Sequence, residues 1–111
     1  MEEIEKIIEE RFGKGKVDEL RKLYPGRKLN VITVEDKMAV LRPVTARELS
    51  EFTMTMTDSA KGGLDRACRD LLDTLWIGGD EEIRQDEEYF MSAMVQIQNC
   101  VELKKSAFYK L

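Results

Sequence analysis

The sequence predicts an α+β fold, mostly helical, in which a long C-terminal helix packs on shorter helices with one β-hairpin on one side. Three observations predict it. Apolar residues recur at i, i+3, i+4 through most of the chain, a β-branched run interrupts that spacing between residues 29 and 41, and Gly and Pro pairs punctuate the segments. The 111 residues, 42% of them apolar, supply one core. Residues 1–111 are therefore expected to form a single domain with a radius of gyration of roughly 13 Å. Its parts are a helical segment over 1–26, a hairpin over 28–42 and a helical portion over 45–111.

Ile4, Ile7, Ile8 and Phe12 give a first amphipathic helix whose opening acids suit the helix dipole, and Gly13 and Gly15 interrupt it. Val17, Leu20, Leu23 and Tyr24 repeat the spacing until Pro25-Gly26 ends it. Leu29 to Val34, the turn-like Glu35-Asp36-Lys37 and Met38 to Leu41 read as a hairpin. A lone hairpin is marginal in water, so it must pack on the helices or pair with another chain.

Pro43 stops the second strand, and Thr45 with Glu48 forms an S/T-x-x-E capping box, which starts a helix at Ala46. Leu49, Phe52 and Met56 carry its stripe, while Thr53, Thr55 and Thr57 weaken its end and Asp58 offers the next cap. Leu64, Ala67, Cys68, Leu71, Leu72 and Leu75 predict a further helix from Gly62-Gly63 to Gly78-Gly79. Asp80 to Arg84 makes an acidic connection or a single turn. Asp86 then caps a last helix striped by Phe90, Met94, Ile97, Val101, Lys104 and Phe108, about 20 residues or near 30 Å long.

Composition excludes several chemistries. With no histidine, Ser-His-Asp and Cys-His nucleophilic catalysis lack their base, and the commonest transition-metal ligand is missing. Gly13-Lys14-Gly15-Lys16 lacks the spacing of a phosphate loop and follows a helix where a strand is needed. Asp80, Glu81, Glu82 and Asp86 lack the ordered ligands of a calcium loop and suit a helix start instead. No catalytic residue, metal ligand or cofactor site is assigned.

The net charge of −4 argues against a general nucleic-acid binder, yet it conceals a basic stretch over 11–28 and an acidic one over 80–88. Cys68 and Cys100 fall on apolar faces without a CxxC; they read as buried free thiols, with a disulfide between them as the alternative. The acidic opening Met1-Glu2-Glu3 and the lack of any apolar run of about 18 residues lead to an expected cytoplasmic, non-membrane protein.

Trp76 and Ile77, ahead of Gly78-Gly79, read either as a cap on the core or as a partner anchor, since Trp and Tyr dominate interface hot spots. Phe108, Tyr109 and Leu111 pose the same choice, because two aromatics and a leucine in four residues should bury against something.

Taken in order, the hairpin, Leu41-Arg42-Pro43-Val44-Thr45-Ala46-Arg47-Glu48-Leu49, the helix closing on Leu75-Trp76-Ile77-Gly78-Gly79-Asp80-Glu81-Glu82-Ile83-Arg84 and the terminal helix resemble the small tail assembly chaperone-like proteins of tailed phages and prophages. The resemblance covers about residues 28–111. It implies a non-enzymatic assembly factor that binds the helical tape-measure protein, or a tail-tube partner, during tail assembly. It carries over no binding residue by position. Two rival expectations are a virion component, such as a head-tail adaptor or tail accessory protein, and a small DNA-binding regulator using residues 11–28. A homo-oligomer is compatible with each.

Overall fold

The computed structural model describes residues 3–100 and 107–111. Among them, helices α1 (Glu3–Phe12) and α2 (Lys16–Leu23) precede the hairpin β1 (Asn30–Val34) and β2 (Lys37–Leu41). Helix α3 (Ala46–Met56), a 3-10 turn (Ser59–Lys61) and α4 (Gly63–Leu75) follow. The chain then forms β3 (Trp76–Gly79), α5 (Glu82–Gln85) and α6 (Glu87–Asn99). The mostly helical α+β class is as expected.

The hairpin gains a third strand. Helix α4 stops at Leu75 rather than at Gly78-Gly79, and β3 pairs antiparallel with β2, giving the order β1-β2-β3. The periodic stripe of α4 has no apolar residue to place after Leu75, whereas the adjacent Trp76 and Ile77 suit opposite faces of a strand. Val40 faces Gly78 and Leu41 faces Trp76, so Ile77 is the extra residue of a bulge. Gly79 has φ 146°, and a Cβ there would lie 2.4 Å from the Met38 carbonyl oxygen. Only glycine lets β3 close on β2 at that point.

The sheet lies between two helical layers, and the strand alternation assigns its side chains to them. Ile32, Ala39 and Leu41 face the larger core with Phe52, Leu72, Leu75, Ile83, Phe90 and Ile97, and Val34 and Trp76 pack against it. Met38 and Val40 face the other way, onto Ile8, Val17 and Leu20, with Val31 and Ile77 packed alongside. Strand β2 is thus buried on both faces, with Ala39 and Leu41 at 0% exposure. Its run Met38-Ala39-Val40-Leu41 is continuously apolar for that reason.

The capping box forms as predicted: Glu48 N–H donates to Thr45 Oγ1 at 3.2 Å, and Thr45 N–H to Glu48 Oε1 at 2.9 Å. Arg42 joins it, donating through Nη1 to the same Oε1 at 2.9 Å and through Nη2 to Oε2. That pairing holds the Glu48 carboxyl at about 2, with the Thr45 amide assisting and burial opposing. Asp86 caps α6 through the amides of Glu88 and Tyr89. Asp58 caps the 3-10 turn.

The last helix departs from expectation. Helix α6 as described spans 13 residues, about 20 Å, and buries Phe90, Ala93 and Ile97. Val101 and Lys104 of the expected stripe lie outside the described residues, and Phe108 is not helical. Phe108 is 89% exposed rather than buried on a helical stripe. No described helix is long and apolar enough to cross a membrane.

Candidate functional site

The residues singled out as anchors fall into two groups. Trp76 and Ile77 are half-buried neighbours on β3 whose side chains serve opposite layers of the fold. Trp76 is also roofed by Arg84, whose guanidinium carbon lies 4.1 Å from the ring centroid. That guanidinium donates to both oxygens of Glu81, at 2.7 and 2.8 Å, and reaches Asp73 at 3.5 Å. A cation held over an indole at this distance is worth about 0.5–1 kcal/mol at an exposed site. Trp76 therefore serves the fold first, and its outer ring face is shielded by an ion cluster.

Phe108, Tyr109 and Leu111 are the opposite case. They are 89%, 83% and 122% exposed, and neither apolar core includes them. Of the two readings the sequence leaves open for them, core or partner anchor, a place in either core is not seen among the described residues. Met91 and Val95, one turn apart on α6, are also open, at 64% and 66%. Leu23 and Met54 are likewise exposed, at 63% and 57%, but lie on other helices.

The two charged stretches touch through one ion pair, and other cations of the chain pair elsewhere. Arg11 of α1 pairs with Asp80 and donates to the Asp36 carbonyl at 3.0 Å. Asp80 Oδ2 also accepts from the Met38 amide at 2.8 Å, and the Asp80 amide donates to the Met38 carbonyl at 2.8 Å. Burial works to raise the Asp80 carboxyl, but the Met38 amide and Arg11 outweigh it and hold it below the usual range. Lys37 pairs with Glu82, Arg69 with Glu87, Arg21 with Glu5 and Lys16 with Glu19. Within the basic stretch Arg11, Lys16 and Arg21 are thus paired with carboxylates of the same chain, which lowers the charge it offers a phosphate.

Gly13-Lys14-Gly15-Lys16 joins two helices, with Gly15 in the left-handed region at the start of α2. Among the described residues, no group of three or more His, Cys, Asp or Glu is placed to hold a metal ion. Cys68 and Cys100 are buried and not joined in a disulfide, the first of the two alternatives their positions offered, and burial pushes the Cys68 thiol up.

Two of the grooves on the described surface have apolar floors. One, of about 260 Å³, runs between α3 and α4 over Phe52, Ala67 and Leu71, with Glu51 and Asp70 on its rim. The other, of about 550 Å³, lies between α1, α2 and β1, over Ile4, Ile8, Val17, Leu29 and Val31. Sequence reasoning missed both, because each is formed by residues from separate helices or strands whose stripes were read only as core. In comparisons with known proteins, no family model, no curated protein and no solved structure matches the chain.

Proposed function

We propose that the chain is a non-enzymatic phage or prophage tail assembly factor of the chaperone-like kind, which holds a helical client such as the tape-measure protein in the bacterial host cytoplasm. One observation carries this reading: three large apolar side chains, Phe108, Tyr109 and Leu111, stand exposed within four residues and outside both cores. Such side chains are the usual anchors of a protein interface. The open Met91 and Val95 add adaptable apolar surface of the kind that accepts an amphipathic helix. The sequence features behind the family resemblance, from the hairpin through the Arg42–Leu49 junction to Arg84, add their support.

The test is co-expression with a candidate tape-measure protein. The chain is expected to raise the soluble yield of that client and to co-purify with it. The triple variant F108A/Y109A/L111A should lose both effects while keeping the native circular dichroism, because these side chains lie outside both cores. Unchanged client yield with no recovered complex overturns the reading.

A further inference from the structure

Strand β1 is an outer strand, and its outward side is an open edge. In the hairpin register Val34 faces Lys37, Ile32 faces Ala39 and Asn30 faces Leu41. The Met38 amide and carbonyl are taken by Asp80 on the β3 side. The backbone groups of Met38 and Val40 therefore point away from β1, and those of their opposites, Thr33 and Val31, point away from β2. Of these outward groups the Thr33 carbonyl accepts from Gln96 Nε2 at 2.9 Å. The Val31 amide and carbonyl and the Thr33 amide have no partner among the described residues.

The ends of this edge carry opposite charge. Arg27 and Lys28 precede β1, Glu35 and Asp36 follow it, and among the described residues none of these four side chains makes an ion pair. Beside the edge lies the 550 Å³ groove with its apolar floor of Ile4, Ile8, Val17, Leu29 and Val31. A strand seated on β1 would place alternate side chains over that floor.

We propose that β1 pairs antiparallel with β1 of a second copy of this chain, centred on Val31, to make one continuous six-stranded sheet. An antiparallel self-pairing is isologous, so the basic end of each strand meets the acidic end of the other, with Arg27 beside the partner's Glu35 at both ends. An acidic peptide would satisfy only the basic end and leave Glu35 and Asp36 opposed. The outward amides and carbonyls of Val31 and its mate bond reciprocally, and the Thr33 amide donates to the carbonyl of the partner's Leu29 while its own carbonyl keeps Gln96. The two grooves then merge into one apolar strip under the new strand pair. This interface uses none of Trp76, Ile77, Phe108, Tyr109 and Leu111 and stands apart from the functional reading.

The experiment is sedimentation equilibrium of the full chain and of two charge-reversed variants, R27E/K28E and E35K/D36K. The wild-type mass should climb with concentration from 12.9 kDa toward twice that value, and the dimer should weaken as salt rises. Each variant alone should self-associate at least about tenfold more weakly, and an equimolar mixture of the two should recover the dimer. T33P deletes an amide that faces away from β2, so the chain keeps its own ladder but should lose the dimer; the exposed charge reversals decide the matter if that variant does not fold. A chain monomeric throughout the series, a dimer indifferent to the reversals, or a mixture that fails to re-associate overturns the proposal. So does an alternating Glu-Val peptide that binds one-to-one to a chain that stays monomeric.

Discussion

Replacing Glu48 by glutamine keeps the size of the side chain and an acceptor for the Thr45 amide but removes the charge that faces Arg42. The junction it weakens ties the end of β2 to the first turn of α3, and both partners are largely enclosed, with side chains 25% and 15% exposed. The Glu48 carboxyl is held at about 2 against an ordinary 4.5, chiefly by the Arg42 hydrogen bonds. Each decade of that depression is worth about 1.4 kcal/mol, so the ionised form contributes at most about 3.5 kcal/mol. The residual exposure of the pair lowers that to about 2 kcal/mol. Because the folded value lies below the unfolded one, this stability is fully present above pH 4.5 and is lost as pH falls toward about 2. Urea unfolding of wild type and E48Q across that range should show a gap of about 2 kcal/mol at neutral pH, or roughly 8 °C in Tm. The gap should close near pH 2. Glu51→Gln, at the exposed Arg47–Glu51 pair, is the control and should cost less than about 0.5 kcal/mol. A gap that persists unchanged at low pH, or an E48Q cost no larger than the control's, refutes the reasoning.

Gly79→Ala forces a left-handed φ onto a residue with a side chain and drives its Cβ into the Met38 carbonyl. It should cost about 2–4 kcal/mol and speed amide exchange at Val40, whereas a neutral effect would mean that β3 does not close on β2 there. Leu72→Ala empties a fully buried site in the larger core and should cost about 2–5 kcal/mol by denaturant titration; a cost below about 1 kcal/mol would place Leu72 outside the core. Both thiols should stay silent to Ellman's reagent in the native protein, Cys68 also because burial keeps it protonated, and two equivalents should appear in denaturant. One fast native equivalent, or none after unfolding, contradicts the burial or the free thiols.

What was legible in the order of residues was whatever local chemistry decides. The Gly13 and Gly15 break, the Thr45–Glu48 box and the Asp86 cap each depend on side chains within a few positions of the backbone they serve, and each is in place. Strand β3 was illegible because its four residues gain their identity from β2, some 37 positions upstream; locally, Gly78-Gly79 is an ordinary helix stop. Nothing along the chain says that the Arg42 guanidinium turns back to Glu48. At the candidate site, the apolar character of Phe108, Tyr109 and Leu111 was plain, but their exposure was not: sequence shows that such side chains seek cover and not whether the chain supplies it. Likewise the basic stretch declared its charge but not its internal neutralisation by Glu5, Glu19 and Asp80.

The double burial of β2 bears on where this protein can be cut. The family resemblance begins near residue 28, which invites treating the first two helices as an appendage. Yet Met38 and Val40, at 2% and 1% exposure, owe their cover to Ile8, Val17 and Leu20. A chain starting at residue 28 would present Val31, Met38, Val40 and Ile77 to water as one oily plane. Any shorter relative built on the same sheet must bring its own roof for that plane or borrow one from whatever it binds.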